Sequence, residues 1–246
     1  MTESGHGTAV LLTATIRPGN VPCLARRDPS VRIEDYKSAL RRWLADPLPN
    51  PIVFCENSGY DLTAVERLCR DHNKRVEFIS FLEDPTTFPR GKGYGEVGII
   101  AHALKQSSLL RNARRVLKVS GRVYVPNASA LVAAMDKFPN VDVFCDLRHN
   151  LTWGDSRIFC ASKDVLANHL VSRRCLIDDS RGVFLEHALA RAIHGVMAEG
   201  GQWSQLPVAP LLAGISGTSN RTLPDTPGYV AALRLFRLAK MLVLRA

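Results

Sequence analysis

The chain has no cysteine pair at CxxC spacing, no run of eighteen apolar residues, and neither a Walker loop nor a dinucleotide fingerprint. Each absence removes a class of protein. Without ligand spacing, the six cysteines (Cys23, Cys55, Cys69, Cys145, Cys160 and Cys175) read as reduced thiols, several of them in buried strands, and not as a zinc site or a disulfide framework. That usage points to a cytoplasmic protein. Without a long apolar run nothing is expected to cross a bilayer. Residues 9–16 are too short for a signal sequence, and no Lys or Arg precedes them. Phosphate binding by the commonest glycine-loop signatures is not on offer either.

What the chain does have is a core and an excess of positive charge. Its 246 residues, 46% hydrophobic and 22% charged, suffice for one large α/β domain over residues 1–228 with a basic amphipathic helix at 229–246. The formal charge of +9 calls for an anionic partner, whether nucleic acid, nucleotide-sugar or membrane surface. The cations are dispersed and lack the interleaved aromatics of a base-stacking platform, so no nucleic acid is expected. The helix at 229–246 places Arg234, Arg237, Lys240 and Arg245 opposite Leu235, Leu238 and Leu242. It either lies on an anionic leaflet, making the protein peripheral at the inner face of the membrane, or docks on the domain with a solvated basic face.

Hydrophobic runs and breakers set the order of elements. Strands are expected at residues 8–16, 51–55, 75–81, 116–125, 141–146 and 155–161, and helices at 32–44, 62–73, from about 94, at 128–137, 163–172 and 183–199. Strand and helix alternating with short connections predict a mostly parallel sheet with helices on its faces, and ligands then bind beyond the carboxyl ends of the strands. Residues 13–17, 56–61, 82–96 and 121–127 fall around that one crevice.

The chain is organised around residues 88–127. RGKGYGE (residues 90–96) reads as a glycine loop leading into a helix, so bare amides of Gly91, Gly93 and Gly95 beside Arg90 and Lys92 would suit a phosphate. Lys118, Gly121 and Arg122 follow on an apolar strand, and Arg17 ends the first. Cations on the inward side of a strand are costly unless an anion meets them. Glu96 is placed to bind a ribose or sugar hydroxyl, or is a favourable first-turn charge.

The ensemble ENSGYDL (56–62), RGKGYGE, LKVSGRVYVPN (117–127), DSR (155–157), DDSRGVFLEHAL (178–189) and GISGTSN (214–220) resembles small bacterial glycosyltransferases of capsule and O-antigen assembly. The resemblance implies a compact GT-A-like fold, a nucleotide-sugar donor, and a glycan acceptor on a lipid carrier. It also implies a carboxylate base in the second half of the chain. Asp178 and Asp179 match that place, each able to cap a helix or to catalyse, with Glu186, Asp155 and Glu96 in reserve. Trp153 in a polar loop, and His187, are assigned to the acceptor. The family's usual Asp-x-Asp metal motif is replaced here by Lys118-Val-Ser-Gly-Arg122, so no cofactor is called for. A divalent metal is possible through Glu83 and Asp84 but not expected. A sugar nucleotidyltransferase and a basic nucleic-acid-binding protein are the alternatives.

Overall fold

The computed structural model describes residues 7–22, 24–217 and 219–223. The expectations for 229–246 lie outside them. Among the described residues the strands are β1 (Thr8–Ala14), β2 (Ile52–Glu56), β3 (Val76–Ser80), β4 (Arg115–Ser120), β5 (Val123–Tyr124), β6 (Val143–Phe144), β7 (Leu147–Arg148), β8 (Trp153–Gly154), β9 (Ile158–Ser162), β10 (Trp203–Ser204), β11 (Ala213–Ile215) and β12 (Thr222–Leu223). The helices are α1 (Pro29–Ala45), α2 (Thr63–Glu66), α3 (Lys92–Gln106), α4 (Ser108–Arg111), α5 (Ala128–Asp136) and α6 (Leu185–Ala198).

Seven strands make one sheet in the order β10-β6-β9-β4-β1-β2-β3. β1 is buried along its whole length, as its aliphatic and β-branched sequence requires of a central strand. It pairs in parallel with β2 and β4, and β2 in parallel with β3. β9 runs against both β4 and β6, while β10 follows β6, so only β9 opposes the common direction. This is the mostly parallel, helix-flanked sheet that the alternation of elements predicts.

The pleat of β1 divides the core between two faces. Leu11 packs with Val97 and Ile100 of α3 and Leu189 and Ile193 of α6. Val10 and Leu12 pack with Leu40 and Trp43 of α1 and Leu131 and Met135 of α5. Each such fully buried aliphatic side chain adds about 1.5–3 kcal/mol. Trp43 also donates from Nε1 to Val123 O at 2.9 Å, which fixes β5 against α1.

Several expected elements change. Residues 62–73 contract to α2 and a 3-10 turn at Arg67–Cys69, since Val65 alone of α2 is buried and a one-residue apolar face holds no longer helix. The strand expected to run through residue 125 stops at Ser120. Gly121 turns the chain there, its N–H bonded to Thr13 O at 2.8 Å, and a Cβ would lie 2.7 Å from that oxygen. β5 then joins β11 and β12 in a separate three-stranded sheet, a pairing invisible in the local pattern. The expected helix at 163–172 is a π turn, Val165–Leu170, followed by a 3-10 stretch, Val171–Leu176. Five cysteines are free, and Cys23 lies outside the described residues.

One buried carboxylate organises the strand ends. Glu56, fully buried, accepts from the amides of Ile16, Ser58 and Tyr60 at 2.9, 2.9 and 3.0 Å and from both Ser58 Oγ and Ser80 Oγ. Removing it strands three backbone donors, each costing about 1–3 kcal/mol. Glu56→Ala is therefore expected to lower stability in urea unfolding by about 3 kcal/mol or more, and a loss below about 1 kcal/mol would contradict this role.

Candidate active site

The sheet ends its parallel strands at a cavity of about 200 Å³. Its floor is Thr13 and Thr15 at the end of β1 and Ser120 and Gly121 at the end of β4. Its walls are the first turns of α3 and α6, and its cover is the 215–217 segment at the end of β11. Arg32, Lys92, Arg122 and Arg157 bring positive charge to it, and Glu96, Asp179 and Glu186 bring carboxylates. A second space of about 50 Å³ adjoins it through Thr15, Leu24, Arg32 and Lys92, and is lined further by Arg17, Asn57, Ser58, Phe88, Gly91 and Gly95.

The glycine-rich stretch is not a loop of bare amides. α3 begins at Lys92, two residues earlier than expected, after Gly91 at φ +98°. Its first turn is already occupied by Asp179, whose Oδ2 accepts from Gly93 N at 3.3 Å. A Cβ on Gly91 would come within 2.3 Å of Asp179 Cβ, and one on Gly93 within 3.0 Å of Asp179 Oδ1. These glycines admit a carboxylate of the chain itself, which takes the place foreseen for a phosphate. The cause lies in tertiary structure, because the partner is 86 residues away.

Asp179 is 4% exposed, and its Oδ1 has no hydrogen-bond partner among the described residues. Burial pushes its carboxyl above the ordinary carboxylate range, with the Glu186 charge adding to the rise; the Gly93 and Lys92 amides and the Lys92 charge offset only part of it. Glu186 accepts from Ser156 Oγ at 2.7 Å across the cavity wall.

The expected row of strand cations divides. Lys118 is fully buried beneath the cavity, ion-paired with Glu96 and donating to Ser156 O, and does not reach the cavity surface. Burial alone would raise the Glu96 carboxyl, but Lys118 and a 2.9 Å bond from Thr13 Oγ1 hold it below the usual range. An internal carboxylate thus meets Lys118, where an external anion was expected. Arg122, past the strand end, does line the cavity. Its Nη1 is buried without a hydrogen-bond partner among the described residues, and its guanidinium lies 5.7 Å from the Tyr36 ring centroid. Gly217 lets it in, since a Cβ there would sit 2.0 Å from Nη2.

Four contributors were not singled out from sequence. Arg32 is 3% exposed and donates to Thr15 O at 2.8 Å and Arg26 O at 2.9 Å; burial, and then the nearby Arg122 charge, depress its pKa. A signal existed, for Arg32 stands one turn before Tyr36 on the apolar face of α1. Ser156 and Arg157 lie in the DSR motif, and Ser120 between Lys118 and Arg122, but the sequence reading assigns none of them a role. Asp155, a candidate base, instead holds Arg157 at 2.6 and 2.8 Å and Arg148 at 3.1 Å. Burial would raise its carboxyl, but Arg157 and Arg148 outweigh this and keep it low, and it does not line the cavity. Asp155 is an arginine anchor.

Other expected residues lie elsewhere. Arg17 borders the smaller space, its guanidinium 5.1 Å from the Tyr60 ring centroid. Arg90 lines neither space and donates to Ile177 O at 3.1 Å. Asp178 caps the 3-10 turn Asp179–Arg181 and not α6, whose N-cap residue is Phe184. Trp153, in β8 and not in a loop, meets His187 edge to face at 4.9 Å, with Phe184 and His149 beside them. This aromatic group lies outside the cavity lining, and His187 Nδ1 accepts from Phe184 N at 3.1 Å.

The two carboxylates considered for a metal have partners within the chain. Glu83 pairs with Arg174 at 2.9 Å, and Asp84 caps a turn through Thr86 N at 2.9 Å. Among the described residues no group of three His, Cys, Asp or Glu could hold a metal ion, and no helix is long and apolar enough to cross a membrane.

No family model matches the chain, and no curated protein matches it. Among solved structures it is similar to a Desulfovibrio desulfuricans protein described as a nucleotide-diphospho-sugar transferase, at 11% identity over 81% of this chain and 79% of that one, with a TM-score of 0.45. It is similar also to a cytidylyltransferase from Leptospira borgpetersenii (13% identity, 83% and 77% covered, TM-score 0.45) and to S. aureus TarS in complex with UDP-GlcNAc (13%, 66% and 47%, TM-score 0.41). At these identities and TM-scores the likeness assigns neither a family nor a reaction.

Proposed function

We propose that the chain is a glycosyltransferase that moves a sugar from a nucleoside diphosphate to a glycan hydroxyl. One observation carries this reading: two buried groups of opposite sign, Arg122 Nη1 and Asp179 Oδ1, border one cavity and lack hydrogen-bond partners among the described residues. A buried guanidinium nitrogen left without an acceptor costs free energy unless an anion meets it. A desolvated carboxylate with a free oxygen is a base waiting for a proton.

In the proposed step the diphosphate lies against Arg122, Arg157 and Lys92, with its nucleoside toward the smaller space. Asp179 Oδ1 takes the proton of the acceptor hydroxyl. The acceptor's hydroxyl oxygen bonds to the anomeric carbon as the carbon–phosphate-oxygen bond breaks, and the bond's electron pair leaves on the nucleoside diphosphate. Fixed cations stabilise this leaving charge directly, so the transfer is proposed to need no metal. Glu96 is assigned to a donor hydroxyl. The aromatic group of Trp153 and His187 adjoins Glu186 on α6 and is assigned to the acceptor sugar. The motif resemblance supports a lipid-linked acceptor in surface polysaccharide assembly, with residues 229–246 at an anionic membrane face.

Thermal-shift measurements with UDP, GDP, CMP and a random oligonucleotide test the reading. One nucleotide is expected to raise the melting temperature by several degrees, unchanged by EDTA. Stabilisation by the oligonucleotide alone would sink the proposal, loss of transfer in EDTA would sink its metal-free form, and pyrophosphate release from a nucleoside triphosphate and a sugar phosphate would make the chain a nucleotidyltransferase.

A further inference from the structure

The seam that holds Asp179 in place runs beside both spaces, with Glu83 bordering the smaller one and Gly93 and Asp179 the larger. Arg90, just before α3, donates from Nε to Ile177 O at 3.1 Å and from Nη2 to Cys175 O, two and four residues ahead of Asp179. Arg174 reaches the other way, donating from Nε to Tyr94 O at 3.0 Å in the first turn of α3. Both guanidiniums pack on the Tyr94 ring, 4.0 Å from its centroid for Arg174 and 4.5 Å for Arg90. Glu83 fixes the far side of Arg174 through a 2.9 Å ion pair, and Gly98 leaves room for that pair, since a Cβ there would meet Glu83 Oε2 at 2.3 Å. Segments 90–94 and 174–179 are thereby stitched together, and the stitch ends at the bond from Gly93 N to Asp179.

Three features separate this seam from ordinary packing. Arg90 and Arg174 line neither space, so they do not touch a donor there. The bonds converge on the residues leading directly to Asp179. Cation–π contacts and planar guanidinium forks fix direction as well as distance, which an apolar contact does not. We propose that Arg90 and Arg174, joined through Tyr94, are positioning residues that hold the Asp179 carboxylate in its desolvated place at the start of α3. The inference rests on Asp179 being the base, but its consequence can be measured without catalysis.

The groups that act electrostatically on Asp179 are Lys92 on α3 and Glu186 on α6, with Arg90 acting on the adjacent Asp178. Losing the seam would let water reach Asp179, and its pKa would fall toward the ordinary carboxylate value of about 4. Merely deleting a nearby positive charge would raise it. The two roles of Arg90 therefore predict opposite signs.

The test is a carbon-13 titration of aspartate carboxyls in the full chain, the Asp179 signal being the one that Asp179→Asn removes. In wild-type protein that signal should titrate above the ordinary range; in Arg90→Ala and Arg174→Ala it should move down, and Arg90→Lys should lie between. Donor kcat should fall about 10- to 100-fold, as for a displaced catalytic group, with the donor KM changed less than about threefold. An unmoved or raised Asp179 pKa in Arg90→Ala would overturn the positioning role. Should Arg90→Ala fail to fold, Arg90→Lys and Arg174→Lys give the same readout, and an unmoved signal in both would overturn it equally. Full activity of Asp179→Asn would instead defeat the base assignment, leaving the seam to be judged by the titration.

Discussion

Asp179→Asn is expected to lose about 10²- to 10⁴-fold in transfer while still binding the donor nucleotide within a few-fold of wild type. The amide can keep the bond from Gly93 N through its own oxygen, so α3 stays capped, but it cannot take a proton from the acceptor. The pH behaviour has a definite sign. Burial raises the Asp179 carboxyl in the folded protein, so folding favours its protonated form more than the unfolded chain does. Its contribution to stability is full below the unfolded carboxylate value and is lost as pH rises through the raised value. Asn removes a desolvated charge at neutral pH, and the variant should melt no lower than wild type. Activity runs the other way, since only the ionised form is a base. The acid limb of the rate profile should lie above the range of an ordinary carboxylate. A variant that keeps activity, or a limb at ordinary carboxylate pH, would rule Asp179 out.

Arg122→Ala should cost about 10²- to 10³-fold in transfer, the loss expected when a charge fixed at a leaving group is removed. Arg122→Lys should recover little of it. The guanidinium lies over the Tyr36 ring, 5.7 Å from its centroid, and against Gly217, and an ammonium cannot present a planar fork to phosphate oxygens from there. Free protein should tolerate the change, because Arg122 has an unpaired buried nitrogen and depresses the pKa of Arg32 behind it. Steady-state rates and melting curves on the three proteins check both halves. A large loss of stability with little loss of rate would mark Arg122 as structural.

How far the site was legible follows from the range of the interactions that build it. The sheet was readable because β1, β2 and β4 are short aliphatic runs whose burial is written in their own residues. The local pattern places Gly121 within a strand beside the donor-binding cations, but it turns the chain after β4 with its N–H on Thr13 O, a contact set by the neighbouring strand. The amides of α3 read as an anion site, yet which anion fills it depends on residue 179, whose position no local pattern reveals. Lys118 was read as a costly inward cation, and that part of the reasoning stands, but the compensating charge is Glu96, on the helix itself. Asp155, a reserve base under the family resemblance, and Arg90, read beside the glycine loop, became supports, because each has partners within the fold. Arg32 could have been found by asking why an arginine stands on the buried face of α1.

The central claim is that Arg122 grips the diphosphate of a nucleotide-sugar in this cavity. Isothermal titration of the stabilising nucleoside diphosphate and of its bare nucleoside, against wild type and Arg122→Ala, tests it most directly. The account predicts that the diphosphate binds wild type at least about tenfold tighter than the nucleoside, a difference of about 1.4 kcal/mol or more, and that most of this advantage disappears in Arg122→Ala. If the advantage survives the substitution intact, the phosphates are held elsewhere and the account is contradicted.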